Sequence, residues 1–331
     1  RLAPVSPPRG WGPLISAQFL LHGCLAAAAS ANLFYVIPDI LGPKLAAIIA
    51  LPGLTDVLIN GHEQVWVQRS AGRLEPVASP FETSAEIARL AQDLIASGGR
   101  HLDQANPFAD VSIGGGVRVH AALASTCHPK TLISIRIHLE RHFGLQELSK
   151  TGMFGSFELE LLQGILRNRQ NFLIAGAAGA GKTTLLRAML AECANERIIA
   201  IEDVSEISLE SAHFISLQTR QANNEGAGEI NLDRLLREAL RMRPDRIAVG
   251  EVRGAELLTM VQALNTGHAG GGATLHANSF ETVASRLSAI GWQCQMPGDE
   301  MLTQVRAAID WVIFLGVQNG ARRVLRIGPL S

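Results

Sequence analysis

The chain has 331 residues, of which 47% are hydrophobic, 18% charged and 5% aromatic, and its 29 Lys and Arg against 30 Asp and Glu leave a formal net charge of −1. This composition excludes a disordered or fibrous chain and leaves room for two globular domains. Residues 1–150 hold 12 basic and 11 acidic side chains, so neither part offers a polybasic face, and direct nucleic-acid binding is not expected.

Residues 1–45 match no domain pattern and read as an apolar, helical segment. Within them, residues 14–37 lack Asp, Glu, Lys and Arg over a length that would cross a bilayer. Ser16, Gln18, His22, Ser30 and Asn32, with six alanines, make a poor span, so a buried or partner-facing helix is expected. Arg9 and the small-residue run 26–31 also imitate a signal peptide.

Residues 46–140 read as a small α+β domain. Val57 and Ile59 lead through the turn pair Asn60-Gly61 to Val65, Trp66 and Val67, a hairpin pattern. Ser79-Pro80-Phe81-Glu82 predicts a capping box with Pro at the first helical position. The helix it announces carries Ile87, Leu90, Ala91, Leu94 and Ile95 on one face and stops at Gly98-Gly99. Strands are predicted over 116–121 and 132–137. The polar stretch 141–155, interrupted by Gly144 and Gly152, reads as a linker.

From 156 to 331 the pattern is β-α-β. A helix is predicted over 157–167, strands over 171–175, 197–201, 214–217 and 246–250, and a helix after Gly181. Short apolar runs alternating with helices argue for a parallel sheet covered on both faces. Cys24, Cys127, Cys193 and Cys294, at least 66 positions apart, fit neither a metal clip nor a disulfide framework and read as isolated thiols in a reducing compartment.

Gly176-Ala177-Ala178-Gly179-Ala180-Gly181-Lys182-Thr183 follows the strand at 171–175 and precedes a helix, which is the complete strand, GxxxxGK[ST], helix arrangement. Glycines let the backbone curl so that successive N–H groups face an anion, and the helix N-terminus adds its positive end. Gly176, Gly179, Ala180, Gly181, Lys182, Thr183 and Thr184 are therefore the expected binding residues for ATP, with Lys182 on the β and γ phosphates and the Thr183 hydroxyl on Mg²⁺. Lys182 is one of only four lysines in the chain. A site for ATP argues against export, and the signal-peptide reading is rejected.

Hydrolysis also needs acids at neighbouring strand ends, to hold the metal and to orient water. Two segments qualify. Glu202, Asp203 and Glu206 begin where the apolar run 198–201 ends, and Glu251 is the first acid after the run 246–250. A third cluster places three successive glycines, 270–272, between His268 and His276, a loop expected to sense the state of the γ-phosphate. Zinc is not expected, since no Cys or second His pair supports it.

Together these segments resemble the type II/type IV secretion ATPase superfamily, in particular the branch serving tight-adherence (Flp) pilus assembly and conjugal transfer. The likeness rests on the Walker A loop, the acidic box Ile201-Glu202-Asp203 with Glu206, the Walker B segment Val249-Gly250-Glu251-Val252-Arg253-Gly254, the run Leu240-Arg241-Met242-Arg243-Pro244-Asp245 and the histidine box Thr274-Leu275-His276-Ala277-Asn278-Ser279. A weaker likeness covers 54–61, Arg118-Val119-His120-Ala121 and Ser134-Ile135-Arg136, with His120 where the family more often has Asn.

The resemblance implies a RecA-like P-loop NTPase domain with a smaller, PAS-like N-terminal α+β domain, nucleotide between them, and a hexameric ring. It implies that Glu251 positions or activates water, that Glu202, Asp203 and Glu206 support water and metal, and that His268 and His276 meet the nucleotide. Arg118 and Arg136 would close over the phosphates from the N-terminal domain, with Arg241 or Arg243 reaching a neighbouring site. It further implies a cytoplasmic motor, associated with the inner membrane through platform proteins, that powers pilus assembly or secretion. The competing readings are a conjugation-associated or other nucleic-acid-translocating RecA-like ATPase, and a nucleotide-dependent interaction module. A small-molecule kinase fits less well, because no acceptor pocket with a lid is visible.

Overall fold

The computed structural model describes residues 38–69, 72–113, 116–125, 128–137, 143–222 and 227–330. The apolar stretch 14–37, Cys24 and Cys127 lie outside them. The chain divides into two compact units, Arg1–Glu140 and Arg141–Ser331.

The first unit is one antiparallel sheet with helices on one side. Its strands are β1 (Leu54–Asn60), β2 (Val65–Arg69), β3 (Glu75–Val77), β4 (Phe108–Ser112), β5 (Val117–Ala122) and β6 (Leu132–Ile137), in the order β3-β2-β1-β6-β5-β4. Alternation along the strands points Val57, Ile59, Val119 and Ile135 inward, where Ile87, Ala91, Leu94 and Ile95 of α2 (Ser84–Ser97) and Leu45 of α1 (Pro38–Ile49) cover them. The opposite face is mixed, with Asp56, Asp110, Arg118 and Arg136 beside Leu58, Trp66 and Phe108. Arg118 on β5 stands across from Arg136 on β6, which stands across from Asp56 on β1.

The hairpin of β1 and β2 forms as expected, closed by a longer loop in which Asn60 N–H donates to the Gln64 carbonyl at 2.8 Å. The cap of α2 differs from expectation. Thr83 is the N-cap, accepting from Glu86 N–H at 3.2 Å, and Glu86 in turn accepts from Glu82 N–H at 3.0 Å. Thr83-Ser84-Ala85-Glu86 is itself a capping box, and it wins because it lies next to the first inward residue, Ile87. Ser79 instead donates its hydroxyl to the His62 carbonyl.

The second unit is a seven-stranded sheet between two layers of helices. Its strands are β7 (Phe172–Gly176), β8 (Ile198–Glu202), β9 (Phe214–Gln218), β10 (Arg246–Val249), β11 (Gly272–His276), β12 (Trp311–Gln318) and β13 (Ala321–Gly328). The order is β13-β12-β7-β11-β10-β8-β9, with β13 the antiparallel edge and the other neighbours parallel. On one face α3 (Leu145–Lys150), α4 (Ser156–Arg167) and α5 (Lys182–Ala191) bury Leu162, Ile165, Leu185 and Met189 against Phe172, Ile174 and Ile198. On the other, α6 (Leu232–Ala239), α7 (Glu256–Asn265), α8 (Thr282–Gln293) and α9 (Gly298–Ala308) pack on Leu173, Ile199 and Val249. Both faces being covered, β7, β8 and β10 are buried throughout, and apolar apart from Arg246 at the start of β10 and Glu202 at the end of β8.

The stretch read as a linker carries α3, whose Leu145 and Leu148 are buried in this core together with Met153 and Phe154. Gly144 is the N-cap of α3 rather than a linker glycine, Gly155 is the N-cap of α4, and Glu147 and Glu158 accept from their N–H groups at 3.0 and 2.9 Å. The hairpin of β12 and β13 was not foreseen, although Asn319-Gly320 between apolar runs is a strong hairpin signal; both residues have positive φ, 52° and 77°.

Candidate nucleotide site

β7 ends at Gly176, where neighbouring strands converge so tightly that a methyl group would stand 2.5 Å from the Leu315 carbonyl oxygen on β12. The loop then curls through Gly179 (φ 72°) and Gly181 (φ 95°), left-handed conformations that favour glycine. Gly181 is the N-cap of α5, so the backbone amides of Lys182, Thr183 and Thr184 belong to the unpaired first turn of that helix. Ala180 is buried beneath the loop. Lys182 is 7% exposed, and its Nζ donates to the Ala177 carbonyl at 3.1 Å and lies 3.5 Å from His276 Nε2. Among the described residues, no carboxylate is within ion-pair reach of it. Burial pushes its pKa down, against the pull of Glu251. A buried ammonium facing a ring of backbone donors is the complement of a polyanion.

Parallel pairing aligns the ends of the central strands. Gly176 of β7 pairs with His276 of β11, Val249 of β10 pairs with Ala273 of β11, and Ile201 of β8 pairs with Val249. The residues that follow therefore gather at one sheet edge, the carboxyl end where α/β proteins bind ligands. Glu251 Oε1 lies 3.6 Å from His276 Nε2, and Oε2 lies 2.9 Å from Arg253 Nη2. Arg253 Nη1 reaches Asp203 Oδ2 at 3.4 Å. Burial alone would raise the pKa of Glu251, but the Arg253 hydrogen bond and charge, aided by His276 and Lys182, hold it below the usual value. Burial and then Lys182 lower the pKa of His276, which keeps the imidazole neutral at physiological pH. The site thus contains a buried cation, an ionised carboxylate and a neutral imidazole.

Several expected residues lie elsewhere. Glu202 is 4% exposed, and its carboxylate turns back to accept the N–H groups of Glu206 and Ile207 at 3.1 to 3.3 Å. Burial raises its pKa to about 7 despite these donors. It packs over Gly250, where a methyl would stand 2.7 Å from Glu202 Cγ, and so serves as a packing and turn-capping group in this structure. Glu206 is exposed, and its backbone N–H serves that cap. Asp203 does join the cluster, through Arg253.

His268 is also misplaced by sequence reasoning. It precedes β11, at the opposite end of the strand from His276, so within this unit it does not meet the phosphate loop. The glycines beside it serve close packing. Gly270 and Gly271 N–H donate to Asn171 Oδ1 at 2.7 and 3.0 Å, and a methyl on Gly272 would overlap the Phe172 ring. Arg241 and Arg243 precede β10 at that same far end, exposed, with Arg241 donating to the Arg237 carbonyl at 2.8 Å. Arg118 and Arg136 belong to the first unit, where Arg118 makes a two-pronged pair with Asp110 (Nε–Oδ1 3.0 Å, Nη2–Oδ2 2.5 Å) and Arg136 reaches Asp56 at 3.1 Å. Arg253 is the cation that organises the acids, and its signal in the sequence is an arginine two residues after a strand-end acid.

A family model described as type II/IV secretion system protein matches residues 44–315. The chain belongs to the type II/IV secretion system protein family. A Mycobacterium tuberculosis protein named for conjugal transfer is 38% identical over 288 residues, covering 85% of this chain and 82% of the relative. The type IV secretion system protein PtlH of Bordetella pertussis is 30% identical over 306 residues, covering 83% of this chain and 89% of PtlH. Among solved structures, the Legionella pneumophila ATPase DotB has a TM-score of 0.59 at 20% identity, covering 82% of this chain and 75% of DotB, a likeness of fold. This secretion-family chain is accordingly an ATPase of the type II/IV secretion kind. Among its described residues, no helix is long and apolar enough to cross a membrane.

Proposed function

We propose that the loop 176–184 binds ATP with Mg²⁺ and that cleavage of the γ-phosphate at Glu251 drives mechanical work. The observation that carries this reading is Lys182, a buried ammonium with no carboxylate partner among the described residues, held where the loop amides converge. The Thr183 hydroxyl and the acids Asp203 and Glu251 suit a hard cation that keeps most of its waters. When bound, Mg²⁺ supplies charge neutralisation between the β and γ phosphates.

Glu251, ionised at neutral pH, accepts a proton from water as its oxygen bonds to the γ-phosphorus and the bond to the bridging oxygen breaks, leaving ADP and phosphate. Lys182 offsets the charge on the β and γ oxygens. Neutral His276, within reach of both Lys182 and Glu251, donates its N–H to the γ-phosphate and so registers its presence.

In this reading the subunit works in a hexameric ring on the cytoplasmic side of the inner membrane and acts on a membrane platform to move pilin or secreted protein. The exposure of Arg241 and Arg243 at the far end of the sheet supports a role for one of them at a neighbouring subunit. The names of the conjugal-transfer relatives favour a conjugation apparatus as the second reading. Titration of the full chain with ATP and Mg²⁺, wild type against Lys182→Ala, tests the site; binding unaffected by the substitution overturns it. Crosslinked co-purification from membranes separates the two machines, since recovery of a polytopic platform protein supports pilus assembly or secretion and recovery of a DNA-coupling protein supports conjugation.

A further inference from the structure

β13 begins as an edge strand with alternation, but that alternation is broken. Phe314 pairs with Arg326 and Leu315 with Val324, so Leu325 is an extra residue, a β-bulge. Ile313 and Leu315 face the layer that carries α5, as does Ile327, whereas Phe314 faces the other layer. Without the bulge, residues 325, 323 and 321 would continue on the face of Ile327. With it, Val324 packs into the α5 layer and Arg322, two residues away, shares that side. Arg326 is left on the opposite face, its guanidinium 4.0 Å from the centroid of the Phe280 ring.

The consequence is local to the phosphate loop. A methyl group on Gly181 would stand 3.5 Å from Arg322 Cδ and 3.1 Å from Met153 Cε. The hairpin is pinned there by Val324 N–H donating to the Met153 carbonyl at 2.8 Å. Arg322 is exposed, and its guanidinium has no hydrogen-bond or ion-pair partner among the described residues. By contrast Arg118, Arg136, Arg253 and Arg326 are each committed to a carboxylate.

We propose that Arg322, delivered to Gly181 by the bulge in β13, is a nucleotide-binding residue that donates to the phosphates that remain after hydrolysis. The inference rests on the reading that the loop around Lys182 binds ATP. The strand order decides which phosphates. Gly176 has two neighbours, His276 on β11 and Leu315 on β12. The acids and imidazole of the cleavage site lie on the β11 and β10 side, and Arg322 lies on the β12 side, away from the γ-phosphorus and its water. A guanidinium there adds a charge-assisted, two-pronged donor to the diphosphate already cradled by the loop amides. Because that contact is the same before and after cleavage, it is uniform binding, which sets affinity and leaves the chemical step alone.

The test is isothermal titration of the full chain with ADP and with pyrophosphate, which has no base, alongside steady-state ATPase kinetics. Arg322→Ala is expected to weaken both ligands by about tenfold or more and to raise KM by a similar factor, with kcat within about twofold. Arg322→Lys recovers part of the loss, and Arg323→Ala, on the other face of the strand, changes nothing. Unchanged thermal melts exclude a folding defect. Wild-type affinity of Arg322→Ala for both ligands overturns the inference, as does loss of ADP binding with pyrophosphate binding intact, which would put the arginine on the base. Lys182→Ala distinguishes the two failures: if it abolishes binding while Arg322→Ala does not, the site stands and only the role of Arg322 falls.

Discussion

Arg253 Nη2 grips Glu251 Oε2 at 2.9 Å while its Nη1 reaches Asp203, so one guanidinium ties together acids from two strand ends. This contact leads the forces that hold Glu251 below its ordinary pKa against the opposing pull of burial. Removing the arginine leaves desolvation to act with less opposition, and the carboxyl then takes up its proton at higher pH. In Arg253→Gln the acid-side limb of the pH profile of kcat/KM shifts upward, so the variant loses activity at a pH where the wild type still works. A limb that stays in place means that Glu251 owes its charge to other groups.

Glu251→Gln keeps the shape and one acceptor of the side chain but cannot take a proton. ATP binding, followed by titration calorimetry, is retained, and turnover drops about 10²- to 10⁴-fold. Turnover within a few-fold of wild type removes Glu251 from the chemistry.

Glu202 titrates in the opposite sense. Its folded pKa is raised to about 7 from the ordinary 4.5, so the native state binds more protons than the unfolded chain across that interval. Its contribution to stability is present below about pH 4.5 and is lost as pH rises to about 7, on the order of 3 kcal/mol. Denaturant melts at pH 5 and pH 8 should show Glu202→Gln losing less stability than the wild type over this range, with ATP turnover preserved. Glu202→Leu, which strands the Glu206 and Ile207 N–H groups, should destabilise by about 1–3 kcal/mol at either pH. If Glu202→Gln melts follow the wild type at both pH values, the carboxyl is not the buried cap described.

The glycines before β11 are structural. Gly272→Ala forces a methyl into the buried Phe172 ring and should cost about 1–3 kcal/mol, seen as roughly 2–4 °C in Tm per kcal/mol. His268→Ala should leave ATP affinity unchanged where His276→Ala alters it, measured in the same titration. Equal effects of the two histidines would return His268 to the nucleotide.

What could be read from the order of residues is what short-range physics builds. The phosphate loop is eight consecutive residues whose glycines, lysine and following helix make an anion site almost without help from the rest of the chain, and it stood out for that reason. The covered parallel sheet was legible because strands buried on both faces are apolar nearly end to end, as at Phe172–Gly176 and over residues 198–201. The antiparallel domain was legible from the alternation around Val57 and Ile135.

Tertiary structure decided everything that depends on which end or which face of a strand a residue occupies. Glu202 and Glu251 are equivalent as text, acids after apolar runs; folding turns one back onto its own backbone and leaves the other beside Lys182 and His276. His268 and His276 are eight positions apart and flank opposite ends of one five-residue strand, a separation set by pairing with β7. Arg322 and Arg323 differ by a single residue, and a bulge at Leu325 chooses between them. Each of these outcomes is fixed by strand register, a long-range property that one inserted residue inverts, and no local propensity records it.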